Sequence, residues 1–512
     1  MNTPVAAIAA VRASNDDGKK RLSIRVWVVL WLVALSTRIF AAFFLPNAEQ
    51  DGYSDAEAIA RLSASLAMGH LHASDLYGFW LPLFQLAAAV VNVWVGHPLL
   101  VGKILAALCG AISCVLVFAI TMQLTRSVAF AWTAFVLIVL NPLHILYSAA
   151  CMTDVPFGFL VLCSLWFVLQ DGWIGAAIFA ALAGCVRVEA WALIPLLPLL
   201  QWFRQRRISP VALPLLLLPP LGWLAISWFA RGDPFAFFAE RARYHAHYLD
   251  FHPSRRGFAL SDISLDVDYL LLGLNKIVFV ASLFAGAILI FQAIRRSNRF
   301  SWAAAATASY MFAIVGFLLL AYVTKRQPVW LPRYGLFGFV LGLPLLAWLL
   351  QWLVENSRPV WLGRFAVGAV ILLCTGQMQR QIPIIPKVLN DFAAHRHAAS
   401  ALVVAFAESA DPNARCFSDD VAVRVLSGLP ADRFVSSTTA PTGLWDNASR
   451  FESYLREKRV AFLIFMPTED SLPVELYPQL EQNGQATIGR FEAITFAPSR
   501  FGPGVWLYRV RD

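Results

Sequence analysis

Between residues 22 and 375 the chain returns repeatedly to apolar stretches near 20 residues long, which is the length an α-helix needs to cross a bilayer. Such stretches leave few folds open. An unpaired backbone amide is costly in lipid, so crossing segments must be helices or strands of a closed barrel, and these runs are too long for barrel strands. Hydrophobic residues make up 59% of the sequence and charged ones 14%, too little charge to cover a soluble protein of this length. The sequence therefore predicts a polytopic α-helical membrane protein.

The first run, "VWVVLWLVALSTRIFAAFF", follows "GKKRLSIR" and is long enough to span. It has no small-residue cleavage site and is not a cleavable signal peptide. Lys19, Lys20, Arg21 and Arg25 hold its start on the cytoplasmic side by the positive-inside rule, which also accounts for much of the net charge of +9; nothing resembles a nucleic-acid-binding stripe. A first outer loop, 46–77, comes next. The run 79–96 is ambiguous between a span and an interfacial helix. If it is interfacial, the basic connectors at 204–207, 295–299 and 355–359 all fall inside, and about eleven crossings result. That arrangement is preferred. It puts a large loop, 231–268, outside, together with a C-terminal segment from 377 to 512.

That last segment changes character. "ARCFSDD", "VAFLIFMP", "GRFEAITFAP" and "GVWLYRV" read as short strands, and "LNDFAAHRHAASALVVAFAE" and "ASRFESYLREKR" as helices. They predict a small α/β extracytoplasmic domain after a membrane domain of residues 1–376. Cys416 is the one cysteine of seven outside the apolar runs, so there is no disulfide framework.

Charges at the predicted outer ends of spans are the informative minority. A cation inside the membrane costs about 2.5–3.5 kcal/mol on insertion scales and therefore faces a partner or a cavity. Arg38 lies within the first span, Lys103 at the start of another, Arg187 beside Glu189 in the tip "RVEAW", and Arg333 beside Tyr334 where a span begins. Outer-face cations run against the topology rule, and an anion is their natural partner. Arg187 also has Glu189 to pair with, and Arg333 can snorkel beside Tyr334. Asp154, in "MTDVPF", suits the N-terminus of a helix. Glu49, Asp51, Asp55 and Glu57 follow the first span in "PNAEQDGYSDAEAIARL"; Ser54 or Asp55 is a sound helix cap, and Glu49 and Glu57 read as solvated. His245, His247 and His252 form a basic segment better read as anion-binding than as a metal site.

The order of these motifs resembles the GT-C-type glycosyltransferases that use polyprenyl-phosphate sugars, among them protein O-mannosyltransferases and the lipid A aminoarabinose transferase. The acidic loop "DGYSDAEAIARLSASLAMG" is followed by "GFWLPLFQL", "HPLLVGKILAALCGA", "NPLHILYSAACMTDVPFGF", "GCVRVEAWALIPLLPLL" and "LPRYGLFGFVLGLP", and then by a soluble domain. The resemblance implies an inner-membrane enzyme that moves a sugar from a polyprenyl phosphate to a lipid, glycan or protein acceptor on the extracytoplasmic face. It makes Asp51 the catalytic base, ahead of a pattern matched by Tyr53, Ala60 and Gly69. Gly52 stands where the family often has Glu, which leaves Asp55 as a competitor. Asp154 becomes a second carboxylate facing the base, able to bind acceptor, sugar or a divalent metal; no cofactor is otherwise implied. Lys103, Arg187, Glu189, Arg333 and Tyr334 become substrate-binding candidates. A transporter or flippase of lipid-linked sugars shares the need for interfacial cations but not for a base.

Overall fold

The computed structural model describes residues 23–44, 53–78, 81–240, 242, 260–295, 301–324, 332–383 and, in the C-terminal segment, 401–402, 404–406, 414–418, 421–427, 429, 433–436, 447–465, 476–477, 487–488, 490–497 and 505–511. Asp51 and the three histidines at 245, 247 and 252 lie outside these residues.

Helix α1 (Ile24–Phe44) is followed by α2 (Tyr53–Ala67), the short α3 (Ala73–Leu76) and α4 (Leu83–Val95). The bundle continues with α5 (Pro98–Thr125), α6 (Val128–Val139), α7 (Pro142–Ser148), α8 (Asp154–Leu169), α9 (Trp173–Gly184), a 3-10 turn (Val188–Ala192) and α10 (Leu193–Gln205). Helices α11 (Ala212–Arg231), α12 (Leu260–Leu274), α13 (Lys276–Ile294), α14 (Trp302–Val323), α15 (Pro332–Asn356) and α16 (Val360–Gln379) complete it. Among the described residues, seven helices are long and apolar enough to cross a membrane, and α6 with α7, bent by 62°, form a broken span or a re-entrant loop, an eighth crossing in the first case. The protein is a multi-pass membrane protein. The other three segments read as crossings, α8, α9 and α10, are helices of only 16, 12 and 13 residues. Helix α4 has 13 residues, about 20 Å, against a hydrocarbon core of about 30 Å.

Lipid supplies no hydrophobic drive between helices, so close packing depends on small side chains. The buried face of α5 is built of Gly102, Ala106, Ala107, Gly110, Ala111, Ser113 and Cys114. At Gly102 a Cβ would lie 2.1 Å from the Cys151 sulfur and 3.2 Å from Ile59 Cδ1, so only glycine lets α5 meet α2 and the 149–153 segment together. Helices α12 and α15 meet backbone to backbone: a Cβ on Gly273 would come within 1.7 Å of the Pro332 carbonyl, and one on Gly335 within 2.3 Å of the Leu270 carbonyl. That crossing fixes the first turn of α15, which carries Arg333 and Tyr334.

The break between α6 and α7 follows from "LNPL". Pro142 has no N–H for the carbonyl of Ile138 one turn back. Asn141 caps the new helix, its side chain accepting from the His144 amide at 2.8 Å. Arg38, fully buried, supplies the missing donors, with Nη2 on the Ile138 carbonyl at 3.0 Å and Nη1 on that of Val139 at 3.2 Å. The cation inside the first span thus splices a broken helix rather than facing a cavity.

The C-terminal domain holds a six-stranded mixed sheet of order β2-β1-β3-β6-β5-β4, built from β1 (Arg415–Ser418), β2 (Phe434–Val435), β3 (Val460–Phe465), β4 (Thr487–Ile488), β5 (Phe491–Ala497) and β6 (Val505–Val510). β1 pairs parallel with β2 and β3, and β3, β6, β5 and β4 pair antiparallel in turn. Helices α17 (Val421–Leu426) and α18 (Ala448–Glu457) belong to it. All four expected strands are present. The helix expected over 389–408 is described only at 401–402 and 404–406, where it is helical.

Candidate active site

Helix α2 is amphipathic, and its pattern decides where each acid points. Asp55, Ile59 and Leu62 recur at i, i+4 and i+7 and are all buried, whereas Ser54 on another face is exposed. Asp55 is therefore on the packed face, 4% exposed, against α4. There Gln85 Nε2 donates to Asp55 Oδ1. Two turns further along the same seam, Asn92 Nδ2 donates to Ser63 Oγ at 3.0 Å. Polar pairs thus register α4 along α2 at two points.

Burial pushes the Asp55 carboxyl from 3.8 up to about 7. The Gln85 hydrogen bond opposes this rise, the negative charge of Asp154 adds to it, and Arg333 and Arg187 pull the other way. Asp55 is thus within electrostatic reach of three residues that lie far from it in the sequence.

Asp154 is the first residue of α8, with Thr153 rather than itself in the capping position. Its carboxylate turns instead to Arg187: Nη1 donates to Asp154 Oδ1 at 2.9 Å, and Nη2 donates to Glu189 Oε1 at 2.7 Å. The Arg187 Nε donates to both Glu189 oxygens at 3.2 Å. All three side chains are buried. The short turn from α9 into α10 makes this possible, since Arg187 is extended just before Val188–Ala192 coils as a 3-10 helix and returns Glu189 beneath it.

Tyr334 closes the cluster. Its buried ring is 5.4 Å from the guanidinium carbon of Arg187 and 5.4 Å from that of Arg333, so one aromatic ring serves two cations. Arg333 is half-buried and also reaches Met152 Sδ at 3.9 Å. Lys103 is buried on α5, next to Gly102, and its ammonium donates to the Ala42 carbonyl near the end of α1.

Asp55, Asp154, Arg187, Glu189, Arg333 and Tyr334 therefore form one neighbourhood, and Lys103 stands on the neighbouring helix with its charge on the end of α1. Asp51, two positions ahead of α2, is outside the described residues. Glu57, read from the sequence as solvated, is instead paired with Arg424 of the C-terminal domain. Sequence reasoning also missed Gln85, although a glutamine within "FWLPLFQLAAAVV" is a polar group in an apolar run and so announces a partner. Among the described residues, no three or more His, Cys, Asp or Glu side chains are grouped to hold a metal ion.

No protein-family model matches the chain, and no curated protein matches it in sequence. Solved structures do. The crystal structure of ArnT from Cupriavidus metallidurans bound to undecaprenyl phosphate superposes with a TM-score of 0.53 and 13% identity, covering 95% of this chain and 97% of that one. The apo state of the same protein gives 0.54 and 13%, over 95% and 98%. The archaeal oligosaccharyltransferase AglB from Archaeoglobus fulgidus, in complex with an inhibitory peptide and a dolichol-phosphate, gives 0.53 and 11%, over 94% and 74%. At these identities the likeness shows the fold: a GT-C-type helical membrane domain with a small C-terminal α/β domain.

Proposed function

We propose that the chain is a membrane glycosyltransferase that moves a sugar from a polyprenyl phosphate to an acceptor hydroxyl on the extracytoplasmic face of an inner membrane, with its N-terminus cytoplasmic. The observation that carries this reading is the convergence of Asp55, Asp154, Arg187, Glu189, Tyr334 and the half-buried Arg333, from four separated stretches of sequence, into one charged cluster. Neighbours in fold that bind undecaprenyl phosphate and a dolichol-phosphate support a lipid phosphate as the carrier of the sugar.

In this reading Asp51 is the general base. It takes the acceptor's proton as the acceptor oxygen bonds to the anomeric carbon from the side opposite the leaving group. The bond from that carbon to the phosphate oxygen breaks, its electron pair stays with the phosphate, and configuration inverts. One base suffices, and no sugar–enzyme bond forms. Arg333 and Lys103 neutralise the charge gathering on the departing phosphate. Arg187 already donates to Asp154 and Glu189, so it orders the wall of the site rather than gripping phosphate, and those two carboxylates offer lone pairs to sugar or acceptor hydroxyls. The C-terminal domain helps to select the acceptor.

One observation favours a second assignment of the base, to Asp55. A carboxyl held at about 7 is poised near neutral pH, where a general base is most effective. The purified protein, reconstituted with a lipid-linked sugar, distinguishes the two. Asp51→Asn is expected to lower turnover by about 10²–10⁴-fold, the usual worth of general-base catalysis. An active Asp51→Asn with a comparably impaired Asp55→Asn moves the role to Asp55, and full activity in both removes the mechanism. Translocation of the intact lipid-linked sugar, with no release of polyprenyl phosphate, replaces the enzyme with a transporter.

A further inference from the structure

The C-terminal domain reaches the membrane domain through a contact that the chemistry above does not use. Arg424, on α17, belongs to the soluble domain, yet its side chain is only 5% exposed. It is enclosed by three acceptors. Nη1 donates to the Ser418 carbonyl at the end of β1, Nη2 donates to Glu57 Oε2 at 2.8 Å, and Nε donates to Glu57 Oε1. This is the two-pronged guanidinium–carboxylate geometry that fixes orientation as well as distance.

Glu57 is two residues from Asp55 on α2, and the two side chains leave the helix on different faces. Asp55 points to Gln85 and the charged cluster, and Glu57 points to the C-terminal domain. The N-terminal end of α2 is therefore clamped from both sides. On one side are α4 and α5, and on the other is an arginine anchored to the end of a sheet strand. α2 is short and carries Asp55 two residues ahead of Glu57, so the position of this end of the helix governs where the Asp55 carboxylate stands.

We propose that Arg424 is a positioning residue: by gripping Glu57 it makes the C-terminal domain hold the N-terminal end of α2, and with it Asp55, in register with the charged cluster. The inference deepens the glycosyl-transfer reading and rests on it for its effect on turnover. Docking of the domain upon α2 is testable without turnover. Correct seating of the soluble domain, as when an acceptor engages it, then becomes a condition for a competent base.

The test compares full-length wild type, Arg424→Gln, Glu57→Gln, the single changes Arg424→Glu and Glu57→Arg, and these last two combined as the exchanged pair, all reconstituted in lipid. Turnover of a lipid-linked sugar is expected to fall about tenfold in each single variant with the donor KM changed less than about twofold, and the exchanged pair recovers most of the loss, the non-additivity expected of a direct contact. Hydrogen exchange over residues 53–67 is read on the same samples. It rises about tenfold in the single variants and returns toward wild type in the exchanged pair. Wild-type turnover number and exchange in Arg424→Gln overturn the proposal, as do strictly additive losses in the exchanged pair. If the wild-type protein cleaves no lipid-linked sugar, the glycosyl-transfer reading fails by itself, and the exchange data alone decide whether Arg424 holds α2. A general folding defect is separated by exchange over α5 and α15, which stays at the wild-type level if the effect is local.

Discussion

Arg38 and Arg187 are both buried in the helical bundle, and they are kept there in opposite ways. Arg38 gives its protons to the carbonyls of Ile138 and Val139, the Thr37 hydroxyl and His144 Nδ1. Those acceptors are neutral, and two of them belong to backbone that cannot move without unwinding a helix. Arg187 instead faces two carboxylates, Asp154 and Glu189, with aromatic rings of Phe337 and Tyr334 5.1 and 5.4 Å away. A buried ion pair is poor value as a stabiliser, because the loss of hydration of both charges offsets most of their attraction. Carbonyl dipoles can hold an arginine at a break in a helix with no carboxylate at all. The carboxylates around Arg187 therefore need another reason to be there, and the neighbouring Asp55 and Arg333 supply it. The first arginine is architecture, and in the proposed reading the second organises the site.

The comparison breaks or sharpens on three measurements. The largest effect is expected for Arg187→Met, which leaves Asp154 and Glu189 buried without their cation. Stripping one partner from a buried pair costs about 3–5 kcal/mol, visible as a lowered Tm in detergent, and transfer per folded molecule should fall below about one hundredth. Arg38→Met should cost less, about 1–3 kcal/mol for carbonyls left without donors, with turnover per folded molecule within about twofold of wild type. Should Arg38→Met lose turnover as deeply as Arg187→Met, the division between the two arginines is wrong.

The smallest effect is a pH dependence peculiar to the carboxylate side. Asp55 has its carboxyl raised from 3.8 to about 7 by burial, so the folded protein holds that proton more tightly than the unfolded chain does. Its contribution to stability is complete below the unfolded value and is lost as pH rises through about 7. Asp55→Asn, which cannot ionise, should therefore gain stability relative to wild type at about pH 8 compared with about pH 5, as read by Tm at the two values. A difference that does not change with pH would show that Asp55 is not held in its neutral form by the fold.

Much of the architecture was legible because bilayer physics leaves so little freedom. An apolar run near 20 residues has to be a helix, and the short runs "VAFLIFMP" and "GVWLYRV", rich in β-branched and aromatic residues, read as sheet. Candidate site residues stood out for the same reason. A charge at membrane depth must meet a partner, which singled out Lys103, Asp154, Arg187, Glu189 and Arg333 before any geometry was known. Identifying the partner is another matter. Arg38 was conspicuous, but its carbonyls become available only because Pro142 interrupts a helix about one hundred residues away, and sequence spacing does not reveal which chain passes that break. Glu57 sits on an amphipathic helix near the end of a span, where solvation is the ordinary fate of an acid; only the folded C-terminal domain brings Arg424 over it. The face of α2 that carries Asp55 was available in principle from the spacing of Asp55, Ile59 and Leu62, a periodicity that separates it from Glu57 without any structure.

The brevity of α9 and α10 reaches beyond the protein itself. At 12 and 13 residues, each covers about 18–20 Å along its axis, well under the thickness of a hydrocarbon slab of about 30 Å. A membrane pressed against such undersized walls must pinch inward or admit water there, and either response shortens the oily path between bulk solution and Arg187. Under the glycosyl-transfer reading, a long-chain carrier in the leaflet next to this hairpin would meet the protein's charges with its headgroup below the usual surface level.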